Sequence, residues 1–162
     1  MKSFKEVGVK YLWTLILAVA VFAIEPGDIA INEVCFDPDG ADEEWIELRN
    51  NLDIEITLDS TVTISDGEGI YHFEGIMIPE GGFITLMSRT DGSFPFEATL
   101  DITEADIQLA NGSDEVILMQ GETVIDSFKY HSSWTEDTYT LERINPTFFA
   151  IHPGNWSPGA VP

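Results

Sequence analysis

The sequence predicts an all-β domain, an immunoglobulin-like sandwich preceded by an N-terminal hydrophobic signal helix. Roughly eight short strand-like runs follow one another at spacings of about 8–15 residues, the rhythm of a sandwich. Turn chemistry rich in Gly, Pro and Asp separates them. After position 24 no stretch keeps a 3.6-residue apolar period over three turns. The chain has 162 residues, 18.0 kDa and 44% hydrophobic residues. That is enough for one domain with a proper core and short for two.

The first run, "IAINEVCF" (29–36), enters an acidic bend, "CFDPDGADEEW" (35–45), where Pro38 and Gly40 turn the chain. "EEWIELRN" (43–50) alternates mostly apolar with polar, the pattern of a half-buried strand. "EITLDSTVTIS" (55–65) reads as one strand rich in β-branched residues, which Asp66-Gly67 turns toward "GIYHF" (69–73). "IPEGG" (78–82) is a further turn before "FITLMS" (83–88). The segment "LDITEADIQLANGSDE" (100–115) predicts a short helical or irregular connection. "EVILMQ" (115–120) and "TVIDSFKY" (123–130) flank Gly121-Glu122, a hairpin signal, and "TYTLERI" (138–144) is the last clear strand.

The N-terminus reads as a secretory signal over residues 1–23. Lys2, Lys5 and Lys10 form a basic region before the apolar run "YLWTLILAVAVFAI" (11–24), and Val21-Phe22-Ala23 predicts cleavage after Ala23. The alternative is an uncleaved anchor, against which stands length: the run has 14 residues, and a spanning helix needs roughly 20. The formal charge of the whole chain is −22. Without Glu6 and the three lysines of the leader, 28 acidic and four basic residues remain, a net charge of −24. Such a surface repels phosphate backbones and anionic lipid, so the expected partners are a protein or a cell-envelope component, with no nucleic acid and no membrane after cleavage. Oligomeric state is not encoded in any feature of this sequence.

Cys35 is the single cysteine, so no internal disulfide is possible. Its place inside an apolar run predicts a small buried hydrophobe. His72, His131 and His152 share no ligand spacing with one another or with the cysteine. "HSSW" (131–134) places Ser beside His without a nucleophile elbow, and no catalytic residue is predicted. Trp45, Trp134 and Trp156 are expected in packing roles. "NGS" (111–113) and "NWS" (155–157) are glycosylation sequons, meaningful only in a host with that machinery.

The acidic bend is expected to be a solvated turn. The alternative is a weak Ca²⁺ site of about millimolar affinity on Asp37, Asp39 and Asp42, since such ions need six to eight converging oxygens. Counting from Asp37, Gly40 falls at the fourth loop position, where an EF-hand requires Gly at the sixth. In a hairpin Glu43 and Glu44 also point to opposite faces.

From Asp28 onward the motifs resemble a known family. "IAINEV" (29–34), then an acidic gap and "EEWIELRN" (43–50), is similar to the opening of a lamin-tail domain. "LDSTVTISDGEGIYHF" (58–73), "IPEGGFITL" (78–86), "LANGSDEVILMQGETVIDSFKY" (109–130), "YTLERI" (139–144) and "NWSPGAVP" (155–162) continue the resemblance in order, over about residues 28–162. "LDSTVTI" lacks the Gly-Trp usual in that strand. The resemblance implies an immunoglobulin-like sandwich of the exported prokaryotic type, a non-catalytic binding or structural module for protein–protein or cell-envelope attachment. It implies no catalytic residues. It gives Asn32 and Glu33 bonds to neighbouring backbone, turns Trp45 and Leu48 inward, pairs Glu47 with Arg143, and ends the fold at Pro158-Gly159. The alternative function, from another class, is a metal-binding accessory subunit or small hydrolase using the 37–44 loop.

Overall fold

The computed structural model describes residues 23–37, 44–89, 99–134, 140–148 and 150–159. The signal segment, Asp39 and Asp42 lie outside these. The described chain is all-β. One sheet has six strands in the order β12 (Trp156–Gly159), β11 (Thr140–Arg143), β1 (Ile29–Cys35), β2 (Glu44–Asn50), β7 (Phe83–Arg89), β8 (Thr99–Asp101). A second has four, β10 (Thr123–His131), β9 (Ser113–Gln120), β4 (Val62–Ser65), β5 (Ile70–His72), and β3 (Ile56–Leu58) pairs with β6 (Ile76–Ile78). All pairings are antiparallel except β7 with β8.

Alternation along these strands builds a shared core. Ile29, Ile31 and Val34 of β1, Ile46 and Leu48 of β2, Leu86 of β7 and Leu141 of β11 join Ile64, Val116, Leu118, Phe128 and Tyr130 of the second sheet in one apolar cluster. Full burial of side chains this size stabilises by about 1.5–3 kcal/mol each. Phe128 stacks on Trp156 at 3.5 Å and Phe36 on Tyr130 at 4.2 Å, between ring centroids. The Tyr130 hydroxyl donates to the Ala110 carbonyl at 2.9 Å, so the phenol enters the core with its polar tip satisfied.

Two differences from the sequence reading have local causes. Residues 55–65 form two strands in different sheets, because the Asp59 carboxylate accepts from the Thr61 amide at 2.9 Å and its carbonyl accepts from the Val62 amide at 2.9 Å. That side-chain turn breaks the run. Pro158 and Gly159 lie within β12, opposite Leu141 and Thr140, and do not follow the last strand. Proline is tolerated there because β12 is an edge. Of the 100–115 segment, residues 102–112 are irregular as expected, with a short 3-10 turn at Thr103–Ala105, while its two ends belong to β8 and β9.

Candidate functional site

The acidic bend, expected as a solvated turn with a weak Ca²⁺ site as the alternative, is only partly described. Asp37 accepts from the Asn111 side-chain amide at 2.7 Å. Glu44, at the other end of the bend, is buried at 5% exposure. Its carboxylate accepts from the Leu109 amide at 2.9 Å and pairs with Arg89 at 3.4 Å. Glu44 therefore fastens β2 to the 102–109 connection. Among the described residues no three His, Cys, Asp or Glu side chains gather in a metal-binding arrangement. Asp39 and Asp42 are outside that statement. At "HSSW", His131 Nδ1 accepts from the Ser133 amide at 3.1 Å, which is turn geometry and does not activate a hydroxyl.

The expected Glu47–Arg143 pair does not form. Glu47 sits on the outer face of the six-stranded sheet and accepts from Asn32 Nδ2 at 2.8 Å. Asn32 therefore bonds a side chain where neighbouring backbone was expected. Arg143 points the opposite way, into the space between the sheets, and pairs with Asp126 of β10. Its guanidinium also donates to the carbonyls of Ile31 at 3.1 Å and Phe148 at 2.6 Å, while Asp126 accepts from the Ile31 amide at 2.8 Å. Three strands are thus tied through one buried ion pair.

Trp45 also departs from the expected inward packing. Leu48 packs inward, but Trp45, three positions earlier, belongs to the outer face. There it forms a small second cluster with Cys35 and Met87, its direct cross-strand partners. Cys35 is buried at 1% exposure, as its apolar surroundings predict.

The same outer face carries a row of carboxylates that needed strand register to be seen. Glu33 stands opposite Glu142 on one side and Glu47 on the other. Thr140 Oγ1 donates to Glu33, which again finds a side chain in place of backbone. Gly159 leaves room for that contact, since a Cβ there would collide with Thr140 Oγ1. Burial raises the Glu33 carboxyl above its ordinary 4.5. The Thr140 bond opposes this, and Glu47 and Glu142 reinforce it. Burial raises Glu47 likewise, against its Asn32 bond. A carboxyl whose pKa is higher folded than unfolded favours the fold in its protonated form. That contribution is complete below the unfolded value and is lost as pH rises through the folded one. Thermal midpoints of Glu33→Gln and the parent protein are therefore expected to agree near pH 4. The variant, which keeps an acceptor for Thr140, becomes the more stable as pH rises to about 7. A variant destabilised at every pH would mean that the ionised Glu33 supports the fold.

The family model of the lamin tail domain matches residues 23–132, more than half of the chain. This chain belongs to the lamin tail domain family. No curated protein matches it. Lamin tail domains are generally non-enzymatic, immunoglobulin-like modules. In this lamin tail domain β11 and β12 lie beyond the matched residues, yet β11 pairs with β1 in the same sheet.

Proposed function

We propose that the chain is an exported, non-catalytic binding or structural module, an immunoglobulin-like sandwich that attaches to a protein or a cell-envelope component. Family membership carries the reading, because the family's members are generally binding modules without catalysis. Two sheets sharing one core support the sandwich architecture. The acidic surface supports a cationic or basic partner.

The start of the fold supports export with cleavage after Ala23. Ile24 is already in the core at 4% exposure, and its amide donates to Gln120 Oε1 at 2.7 Å. Removal of residues 1–23 would leave every described core residue in place. Among the described residues no helix is long and apolar enough to cross a membrane. The intact mass of protein recovered from the medium or envelope of its native host is expected to correspond to a chain beginning at Ile24. A mass that includes residues 1–23 rejects cleavage and leaves an anchored module.

A further inference from the structure

Four strands end the two main sheets, and two of them, β12 and β10, carry a feature that discourages pairing with another chain. β12 contains Pro158, which has no amide hydrogen. β10 is bulged between Val124 and Asp126, carries Lys129, and has its Ile125 carbonyl taken by the Gly27 amide at 3.3 Å. β8 continues the β7 ladder through the Ile102 amide, which bonds the Met87 carbonyl at 3.0 Å, and the residues before β8 lie outside the described ones. β5 has none of these.

The register Thr63↔His72, Ile64↔Tyr71, Ser65↔Ile70, with the Phe73 amide donating to the Val62 carbonyl at 3.1 Å, fixes which groups of β5 face β4. An antiparallel ladder alternates, so Tyr71 and Phe73 face β4 while the amides and carbonyls of Ile70 and His72 face away. Those four groups have no partner among the described residues. Beside them runs a groove of about 430 Å³, bounded by Ile70, Tyr71 and His72 on one side and residues 101–105 on the other. Its far wall is held in place. Asp66 accepts from the Gly69 amide at 2.7 Å and the Gln108 amide at 2.7 Å, and Gly69 approaches the Ala105–Asp106 backbone so closely that any Cβ would collide with it.

The charge of the groove indicates its occupant. Asp101 and Glu104 are exposed on its rim, and among the described residues no lysine or arginine lines it. Asp101 spends one oxygen on Thr103, which leaves the other for a ligand. Ile70 adds an apolar surface at 52% exposure. We propose that β5 is a docking edge, which takes an extended basic segment of a partner polypeptide as a fifth strand of the smaller sheet. Backbone bonds to Ile70 and His72 hold the segment, its lysines or arginines meet Asp101 and Glu104, and an apolar side chain rests on Ile70. This deepens the reading of the chain as a binding module and names the site.

The test uses a synthetic peptide of alternating Lys and Val, titrated into the isotope-labelled protein. Saturable amide shifts confined to residues 69–73 and 101–106 are expected, with affinity falling as salt rises. A Glu-for-Lys peptide should not bind. The same Lys peptide with alternate backbone amides N-methylated should bind at least about tenfold more weakly, and so should His72→Pro, which removes an amide the fold does not use. Undiminished binding of the methylated peptide overturns strand addition, whether or not His72→Pro folds. Shifts that map to the Glu33–Glu47–Glu142 row overturn the site while leaving a basic-partner module. No binding of any peptide overturns the proposal, and adsorption to native envelope, measured separately, decides whether the module reading falls with it.

Discussion

Replacing Arg143 with Met is expected to lower the unfolding free energy by about 3–5 kcal/mol, the usual cost of removing one partner of a buried ion pair. The side chains of Arg143 and Asp126 are 4% and 12% exposed, so neither charge has water to fall back on. The guanidinium also satisfies the Ile31 and Phe148 carbonyls and lies 5.9 Å from the Trp156 ring. Without it, Asp126 keeps only its backbone donors inside an apolar space. Burial already raises the Asp126 carboxyl above its ordinary value, with Arg143 the largest opposing influence. In Arg143→Met that opposition is gone, so the folded pKa moves further above the unfolded one. The penalty is then greatest at neutral pH and shrinks as pH falls and Asp126 is protonated. Urea denaturation at two pH values measures this. A second variant, Arg143→Met with Asp126→Leu, should recover much of the loss, because both charges leave together. A single variant as stable as the parent protein would mean that the pair is not buried in solution.

Trp45→Ala is expected to cost about 3–5 kcal/mol, the range for emptying a buried Trp site. At 5% exposure Trp45 packs with Cys35 and Met87 on the face of the six-stranded sheet opposite the main core. Its loss should therefore destabilise the protein while leaving the near-ultraviolet signal of the stacked Phe128–Trp156 pair in place. Trp45→Phe should restore part of the stability. An unchanged denaturation midpoint for Trp45→Ala would make Trp45 a surface residue.

The elements that announced themselves in the sequence were those with strong alternation or hairpin chemistry: β1, β2, β7, β9, β10 and β11. Three of the short ones did not. β6, β8 and β12 are three or four residues long and exist because a distant strand supplies their partners, so no local period marks them. The split at Asp59 was hidden because a single side-chain bond outweighs a run of β-branched residues. The faces of β2 are legible in the spacing of its residues. Positions 45 and 48 are an odd number apart, which places Trp45 and Leu48 on opposite sides of any regular strand. Asp126 is a lone acid inside the otherwise strand-like "TVIDSFKY", a pattern that signals a buried partner. Its pairing with Arg143 and the Glu33–Glu47–Glu142 row depend on register between remote strands, which no local pattern contains.

The central claim, attachment without catalysis, is tested most directly by incubating the purified protein with envelope fragments from its native host and measuring what sediments with them. Saturable binding is predicted, competed by excess unlabelled protein, weakened by salt, and accompanied by no release of soluble fragments from the envelope. Binding no greater than that of an unrelated protein of equal negative charge, or release of soluble fragments that stops when the protein is left out, would contradict it.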